Sequence, residues 1–193
     1  MSESSERTGW DERHRGKPVG APEPFLVEMI PQIPRGGIAL DVAAGRGRNA
    51  IAMARVGIRV VAVDFSVTAM HALAAAARAE RLAVWPVVAN LDSFHLKHES
   101  LDAIININFL DRALFPEFSR ALRPGGVLIV ETFTIDQASI GHPRDPRFLL
   151  GHGEIKELVA GLEIERCRER LVSYPDGTRA FRASVVARKR KSI

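Results

Sequence analysis

The sequence lacks the features of secreted, membrane-bound and metal-binding proteins. Its 193 residues include one cysteine, Cys167, so no internal disulfide can form. No apolar run reaches the length of a membrane span, and the opening MSESSERTG has no apolar segment of the kind found in signal peptides. His95 and His98 have no second pair of ligand residues, so we predict no metal site. These absences favour a cytoplasmic protein without a membrane partner.

Excess charge of one sign is also scarce outside the C-terminal end. The net charge is +4, and four cations at 188–191 account for it, so the rest of the chain is neutral. We interpret residues 189–193 as a solvated basic tail and do not expect a nucleic-acid partner. The alternative is that this tail contacts phosphate or a partner.

Apolar runs alternate with amphipathic stretches, which predicts parallel strands joined by helices. The predicted parallel strands are Gly37–Asp41, Arg59–Asp64, Val84–Asn90, Leu101–Asn106 and Val127–Phe133. The predicted helices are Phe25–Ile30, Arg48–Val56, Val67–Arg81 and Arg112–Leu122. Ser66 is placed to cap the third of these helices, and Pro124-Gly125-Gly126 ends the fourth.

Other residues predict strand order and domain limits. Pro86 cannot donate to a strand ladder, so the third strand should lie at a sheet edge and the first two should be interior. Residues 162–172 and 179–187 read as an antiparallel hairpin around Tyr174-Pro175-Asp176-Gly177. The prolines before residue 25 predict a mobile arm or lid over residues 1–24, followed by one domain over 25–188.

The stretch LDVAAGRGRNA, at 40–50, contains a glycine-rich turn that predicts a nucleotide-type cofactor. Gly45-x-Gly47-x-x-Ala50, with Asp64 ending the next strand, matches the relaxed dinucleotide fingerprint. However, three residues separate Asp41 from Gly45, and a carboxylate there would repel a diphosphate. The opposite holds for S-adenosylmethionine, which carries an ammonium, a sulfonium and one carboxylate. Asp41 would face its positive charge, the N-terminus of the helix at Arg48 would receive its carboxylate, and Asp64 would accept from its ribose hydroxyls.

The chain resembles a known enzyme family at these positions. The segment LDVAAGRGRNAIAMARVGIRVVAVDFS and the LRPGG at 122–126 resemble class I S-adenosylmethionine-dependent methyltransferases. The Gly-Arg-Asn at 47–49, the Trp-Asp-Glu-Arg at 10–13 and the loop GHPRDPRFLL are similar to the tellurite-resistance methyltransferase group. The resemblance implies a doubly wound α/β fold of the Rossmann-like methyltransferase type. Its sheet would have seven mostly parallel strands and end in an antiparallel hairpin.

Site residues follow partly from the motifs and partly from the resemblance. The predicted cofactor-binding residues are Asp41, Ala43, Gly45, Gly47, Arg48, Asn49, Asp64, Phe65, Ser66, Asn90, Leu91 and Asn106. The family usually has glycine at the position of Ala43, and alanine fits there only if φ is negative. Phe65 is either a core aromatic or a cover for adenine. Asn106 and Asn108 either form the wall near the methyl group or cap the next helix.

Candidates for the lid or the acceptor site lie in two loops and the arm. These candidates are Trp10, Arg13, His14, Asn108, His142 and Arg144. Trp10 is expected to anchor the arm, because exposing an indole is unfavourable. Arg46 is either solvated or helps to hold the arm or an anionic acceptor.

The predicted reaction is in-line methyl transfer from S-adenosylmethionine to a small-molecule acceptor, which leaves S-adenosylhomocysteine. A soft nucleophile needs alignment and loss of water more than a base, so we assign no catalytic residue. His14, His142 or Tyr174 would assist an alcohol or amine. Two alternatives stay open: an NAD(P)-dependent oxidoreductase, and a non-catalytic module that binds S-adenosylmethionine or RNA. The chain is expected to be a monomer or a homodimer.

Overall fold

A computed structural model describes residues 3–174 and 176–191, without the side chains of residues 3, 4 and 93. Pro175, part of the predicted turn, lies outside the described residues. The described strands are β1 (Ile38–Val42), β2 (Arg59–Asp64), β3 (Val84–Val88), β4 (Leu101–Ile107), β5 (Leu122–Phe133), β6 (Glu163–Ser173) and β7 (Arg179–Arg188). They form one sheet in the order β3-β2-β1-β4-β5-β7-β6.

Helices occupy most of the connections between strands. They are α1 (Glu3–His14), α2 (Pro24–Met29), α3 (Arg48–Arg55), α4 (Val67–Ala79), α5 (Leu114–Ala121) and α6 (Glu154–Leu158). Short 3-10 helices cover Ile30–Gln32, Leu91–Ser93, Ile135–Ser139 and Pro146–Phe148. In the described part of the chain, no helix is long and apolar enough to span a membrane.

The chain divides into two compact units, one ending at His95 and the other beginning at Leu96. In the first unit, β1 and β3 both pair in parallel with β2. Pro86 of β3 lies opposite Ala62, and β3 is the edge strand of the sheet, as predicted. The pairing places the carboxyl ends of β1 and β2, where Asp41 and Asp64 lie, beside each other.

In the second unit, β4 and β5 are parallel, whereas β7 is antiparallel to both β5 and β6. The predicted ending of a parallel sheet in an antiparallel hairpin is therefore confirmed. The core strands are apolar because both of their faces are covered; Ile104, Ile105 and Ile129 are fully buried. The α/β fold class predicted from the alternating pattern is confirmed.

Several boundaries differ from the sequence predictions. Residues 3–14 form α1, where an arm was predicted without a helix. α5 starts at Leu114 instead of Arg112, because Asp111 accepts from Ala113 N in a turn ahead of the helix. β5 starts at Leu122 and includes the Pro-Gly-Gly that was predicted to be only a helix stop.

Candidate functional site

Asp64 is the best-oriented acid at the carboxyl ends of β1 and β2. Gly45 N donates to its Oδ2 at 2.7 Å, and Ser66 N donates to its Oδ1 at 2.8 Å. The residue is 8% exposed. Because a carboxylate oxygen has two lone pairs, each oxygen keeps acceptor capacity after these bonds. The two amides therefore fix the orientation of a group that can still accept from a pair of neighbouring hydroxyls.

The loop after β1 has a left-handed backbone at Ala43 (φ 51°), Gly45 (φ 53°) and Gly47 (φ 80°). The condition for alanine to fit at position 43, a negative φ, is therefore not met. A β-carbon in this region costs about 1 kcal/mol relative to glycine, so the loop holds strain where the family usually has glycine. At Gly47, a Cβ atom would lie 2.1 Å from Cδ1 of Leu73, so glycine is required for the packing of α4 against this loop.

Asp41, near the end of β1, is almost fully enclosed. It is 1% exposed, it accepts a hydrogen bond from the backbone of Ala50, and its Oδ2 has no partner among the described residues. Burial raises the pKa of this carboxyl to about 7, against the Ala50 hydrogen bond and the charge of Arg48, which lower it. Nearby positive charge would therefore stabilise the ionised form of Asp41.

α1 is docked onto the start of α4 through Asp11. Its Oδ1 accepts from Ser66 Oγ at 2.6 Å and from Thr68 N at 2.9 Å. The hydrogen bond from Ser66 lowers the pKa of Asp11, so the carboxylate is charged at neutral pH. Ser66 Oγ also accepts from Ala69 N, which confirms the predicted N-cap of α4.

The C-terminal end of α1 lies over the glycine loop. Arg46 Nη1 donates to the carbonyl of His14 at 2.8 Å, so Arg46 helps to hold the arm, which is one of the roles considered for it. A Cβ atom at Gly45 would lie 3.2 Å from Cε1 of His14, so the imidazole is close to this loop. Burial lowers the pKa of His14, although the charge of Asp64 raises it, and the imidazole is neutral at pH 7.

Trp10 does not anchor α1, contrary to expectation. Its ring is 42% exposed and contacts side chains of its own helix: Arg13 Cζ is 4.5 Å from the ring centroid, and the His14 ring is 6.4 Å away. Residues at helical spacing share one face, and positions 7, 11 and 14 carry the contacts with the rest of the unit. Among them, Arg7 Cζ lies 4.6 Å from the centre of the half-buried Phe65 ring.

Arg48 and Asn49, in the first turn of α3, hold the segment before α2. Arg48 Nη2 forms an ion pair with Glu23 Oε2 at 2.9 Å, and Asn49 Oδ1 accepts from Glu23 N at 3.0 Å. Glu23 is 3% exposed.

Asn90 accepts from Asp92 N through Oδ1 at 3.1 Å and so starts the 3-10 helix containing the buried Leu91.

Asn106 is a buried amide at the carboxyl end of β4. It is 1% exposed, and neither Oδ1 nor Nδ2 has a hydrogen-bond partner among the described residues. The helix-capping alternative is wrong for both asparagines, because the N-cap of α5 is Ala113. Asn108 has φ 61°, and its backbone N donates to Glu131 O at 2.8 Å. Asparagine tolerates this conformation better than most side chains.

Asn108 Oδ1 accepts a hydrogen bond from Nη1 of Arg182, a buried residue of β7. Arg182 Cζ lies 3.8 Å from the centre of the Phe133 ring and 5.9 Å from that of Tyr174. A desolvated cation–π contact stabilises the folded state by about 2 kcal/mol, whereas removing an ion from water costs several kcal/mol. These contacts alone do not offset the burial of the guanidinium.

The remaining acceptor candidates are less enclosed. His142 and Arg144 have exposed side chains, and the His142 carbonyl accepts from Gln137 Nε2 at 3.0 Å. Within residues 3–174 and 176–191, no group of three His, Cys, Asp or Glu side chains is placed to hold a metal ion.

Comparison with known proteins finds a family model that matches part of the chain. Residues 39–126, which include the glycine loop and both acids, match the family described as methyltransferase domain. This stretch is similar to methyltransferase domains, in line with the predicted class I S-adenosylmethionine-dependent methyltransferase, and S-adenosylmethionine is the cofactor that this prediction implies. No curated protein sequence matches this chain.

Solved structures share the fold of this chain. TehB from Haemophilus influenzae is 18% identical, with a TM-score of 0.74 over 86% of this chain; the chain spans 61% of that protein's length. A methyltransferase from Methanosarcina mazei is 19% identical, with a TM-score of 0.71 over 90% of this chain and 100% of the other. A protein of echinomycin biosynthesis is 22% identical, with a TM-score of 0.74 over 97% and 93% of the two chains.

Two residues were missing from the sequence-based site set. Leu73 was not singled out, because its contact with Gly47 depends on how α4 packs on the loop. Arg182 was read only as part of a hairpin strand. An arginine among the apolar residues of β7, in AFRASVV, is the signal that would have indicated it.

Proposed function

We propose that this chain is a methyltransferase that transfers a methyl group from S-adenosylmethionine to a small-molecule acceptor by in-line displacement. The carrying observation is the Asp64 carboxylate, oriented by the Gly45 and Ser66 amides beside the glycine loop. A fixed carboxylate with spare acceptor capacity on both oxygens is suited to the two hydroxyls of a ribose.

The residues around Asp64 fit the rest of this cofactor. The partnerless Oδ2 of Asp41 is an enclosed acceptor next to the loop, which favours a cationic ligand over a diphosphate. Gly45 and Gly47 permit close approach of a ligand to the backbone, and Asn90 with Leu91 would lie along the base. When bound, S-adenosylmethionine supplies an electrophilic methyl group on a sulfonium, with a thioether as the leaving group.

The chain's own contribution to the reaction is alignment and exclusion of water. The neutral imidazole of His14, which lies close to the glycine loop, is available to orient an acceptor, but no base is assigned. We favour a soft nucleophile such as a thiol, because it attacks once deprotonated without further assistance. The association of one structural neighbour with conversion of a disulfide into a thioacetal is in line with sulfur as the acceptor.

Calorimetric titration with S-adenosylhomocysteine tests the cofactor site. Asp64→Ala is expected to weaken binding at least about tenfold, because hydrogen bonds to a charged group contribute about 1.5–3 kcal/mol each. Asp64→Asn keeps the side-chain shape, so it should lose less affinity for S-adenosylhomocysteine than Asp64→Ala. Glu80→Ala is the control, since it removes an exposed acid that pairs with Arg55.

Circular dichroism of each variant separates loss of binding from loss of folding. A parallel titration with NADH addresses the oxidoreductase alternative. Unchanged affinity of a folded Asp64→Ala protein for S-adenosylhomocysteine, or NADH binding in its place, would overturn the assignment.

A further inference from the structure

The side chain of Arg182 has an edge that no described residue uses. Nη1 donates to Asn108 Oδ1, which is the only hydrogen bond of this guanidinium within the described residues. Nε is enclosed and has no partner there. Nη2 has no partner in the same residues and, unlike Nε, is not fully enclosed by protein. Nε and Nη2 form the planar edge that binds a carboxylate through two parallel hydrogen bonds.

The surroundings of Arg182 favour an anion at this edge. Arg182 is 5% exposed and forms no ion pair with any described acid. Strand pairing places Arg170 of β6 directly opposite it, and directly opposed like charges are destabilising. Glu169 of β6 pairs with the neighbouring Ala183 and so belongs to the opposite face of the sheet. On the face of Arg182, the nearest acid in the register is Glu131, which is diagonal to Arg182 and accepts from Ser184 Oγ. A buried cation with a like charge beside it is stabilised when an anion binds.

The position of Arg182 also fits an acceptor site. It pairs with Phe133 at the carboxyl end of β5, and its partner Asn108 directly follows the carboxyl end of β4. In open α/β sheets, ligands bind outside the carboxyl ends of the strands. The Phe133 ring, 3.8 Å from Cζ, packs against the guanidinium and so restricts its movement.

We propose that Arg182 binds a carboxylate group of the methyl acceptor through its Nε and Nη2 edge, with Asn108 holding the opposite edge. This inference rests on the proposed function and narrows its acceptor to a carboxylate-bearing molecule. Arg182 is thereby a substrate-binding residue that determines specificity. The reacting atom and the leaving group are unaffected, because the carboxylate only positions the acceptor.

The first test measures carboxylate binding without methyl transfer. In the 15N-labelled full chain, the Nε–H resonance of Arg182 is assigned by its loss in Arg182→Gln. Sodium propionate is expected to shift it saturably, whereas propionamide, or sodium chloride at equal ionic strength, should leave it in place. A resonance that responds to propionate no more than to chloride would overturn the proposal. Tighter binding of inorganic phosphate than of propionate would overturn the choice of a carboxylate.

The second test compares two thiols of matched size, mercaptopropionate and mercaptopropionamide, as acceptors. Arg182→Gln is expected to raise KM for mercaptopropionate at least about tenfold while KM for the amide stays unchanged. Arg182→Lys keeps the charge but loses the planar edge, so it should recover only part of the affinity. Arg179→Gln, an exposed position on the same strand, is the control.

The two proposals fail in distinguishable ways. If Arg182→Gln leaves the preference between the two thiols unchanged, the carboxylate proposal is wrong and methyl transfer to thiols stands. If neither thiol is methylated, the soft-acceptor proposal is wrong, and the response of the Nε–H resonance to propionate decides the carboxylate proposal alone.

Discussion

Asp41 shows how one residue links stability of the cofactor-free chain to cofactor choice. Burial raises the pKa of its carboxyl to about 7, so the folded chain retains a proton there that the unfolded chain releases near pH 4. Because the charge of Arg48 does not offset the burial, this enclosed carboxyl destabilises the fold as it ionises. The same ionised carboxyl would stabilise a cationic ligand, so the residue is unfavourable for folding alone and favourable for binding.

The sign of the resulting pH dependence is fixed by this difference. Between about pH 4 and 7 the folded state binds more protons than the unfolded state, so the free energy of unfolding falls as pH rises. The whole difference in pKa between the folded and the unfolded chain lowers the free energy of unfolding by roughly 4 kcal/mol at most. Asp41→Asn removes this pH-dependent destabilisation. At pH 8 the variant should therefore unfold at higher urea concentration than the parent, whereas the urea midpoints of the two proteins should be similar at pH 4.

Urea titrations at several pH values measure this effect in the cofactor-free protein. Asp92→Asn, which changes an exposed acid of the same unit, should leave the pH dependence unchanged. Affinity for S-adenosylmethionine should rise through pH 7 in the parent and be flat in Asp41→Asn. Parallel stability curves for the parent and Asp41→Asn would contradict the role assigned to this carboxyl.

At the scale of elements, the glycine loop and α4 are joined through Gly47 and Leu73. Gly47→Ala adds a Cβ atom 2.1 Å from Leu73 Cδ1 at a residue with φ 80°. Overpacking lowers the free energy of unfolding by about 1–3 kcal/mol, and an alanine in a left-handed backbone lowers it by about 1 kcal/mol more. We therefore expect a total loss of about 2–4 kcal/mol. Thermal and urea unfolding provide the measurement.

Gly57 is the matched control, because its φ of 89° is similar and nothing lies within 4 Å of its Cβ position. Gly57→Ala should cost only the backbone part, about 1 kcal/mol. Adding Leu73→Ala to Gly47→Ala should relieve the collision but leave the backbone penalty and a cavity. Equal losses for Gly47→Ala and Gly57→Ala would show that the loop and α4 are not tightly packed.

The elements that the sequence predicted are those encoded locally. The alternation of apolar and amphipathic segments gave the parallel strands, Pro86 gave the edge strand, and Ser66 gave the start of α4. Each of these depends on residues close together in the chain. The acids at the carboxyl ends of β1 and β2 followed from the same local pattern.

The features that sequence missed depend on contacts between distant residues. α1 is docked by Asp11 on Ser66 and Thr68, more than fifty residues away, and its own polar sequence has no apolar face to reveal it. The sign of φ at Ala43 is set by the loop as a whole. The edge left open on Arg182 becomes visible only after the register of β5, β6 and β7 is known.

At the scale of the whole molecule, the basic C-terminal end is less available than its sequence indicates. Arg188 belongs to β7 and pairs with Glu165. Lys189 Nζ donates to Leu122 O at 2.8 Å and lies 3.3 Å from Glu99 Oε1. Of the four terminal cations, Arg190 and Lys191 are therefore left as the main candidates for contact with phosphate.

Salt dependence of RNA binding tests this reduced role of the basic end. Two neutralised phosphates give a slope of about −1.4 in a plot of log K against log salt for single strands. Fluorescence anisotropy of the full chain with a single-stranded RNA should therefore show weak binding with a slope no steeper than this. Arg190→Ala with Lys191→Ala should remove most of that dependence. A much steeper slope that survives the double substitution would place an RNA-binding surface elsewhere on the molecule and revive the RNA-binding alternative.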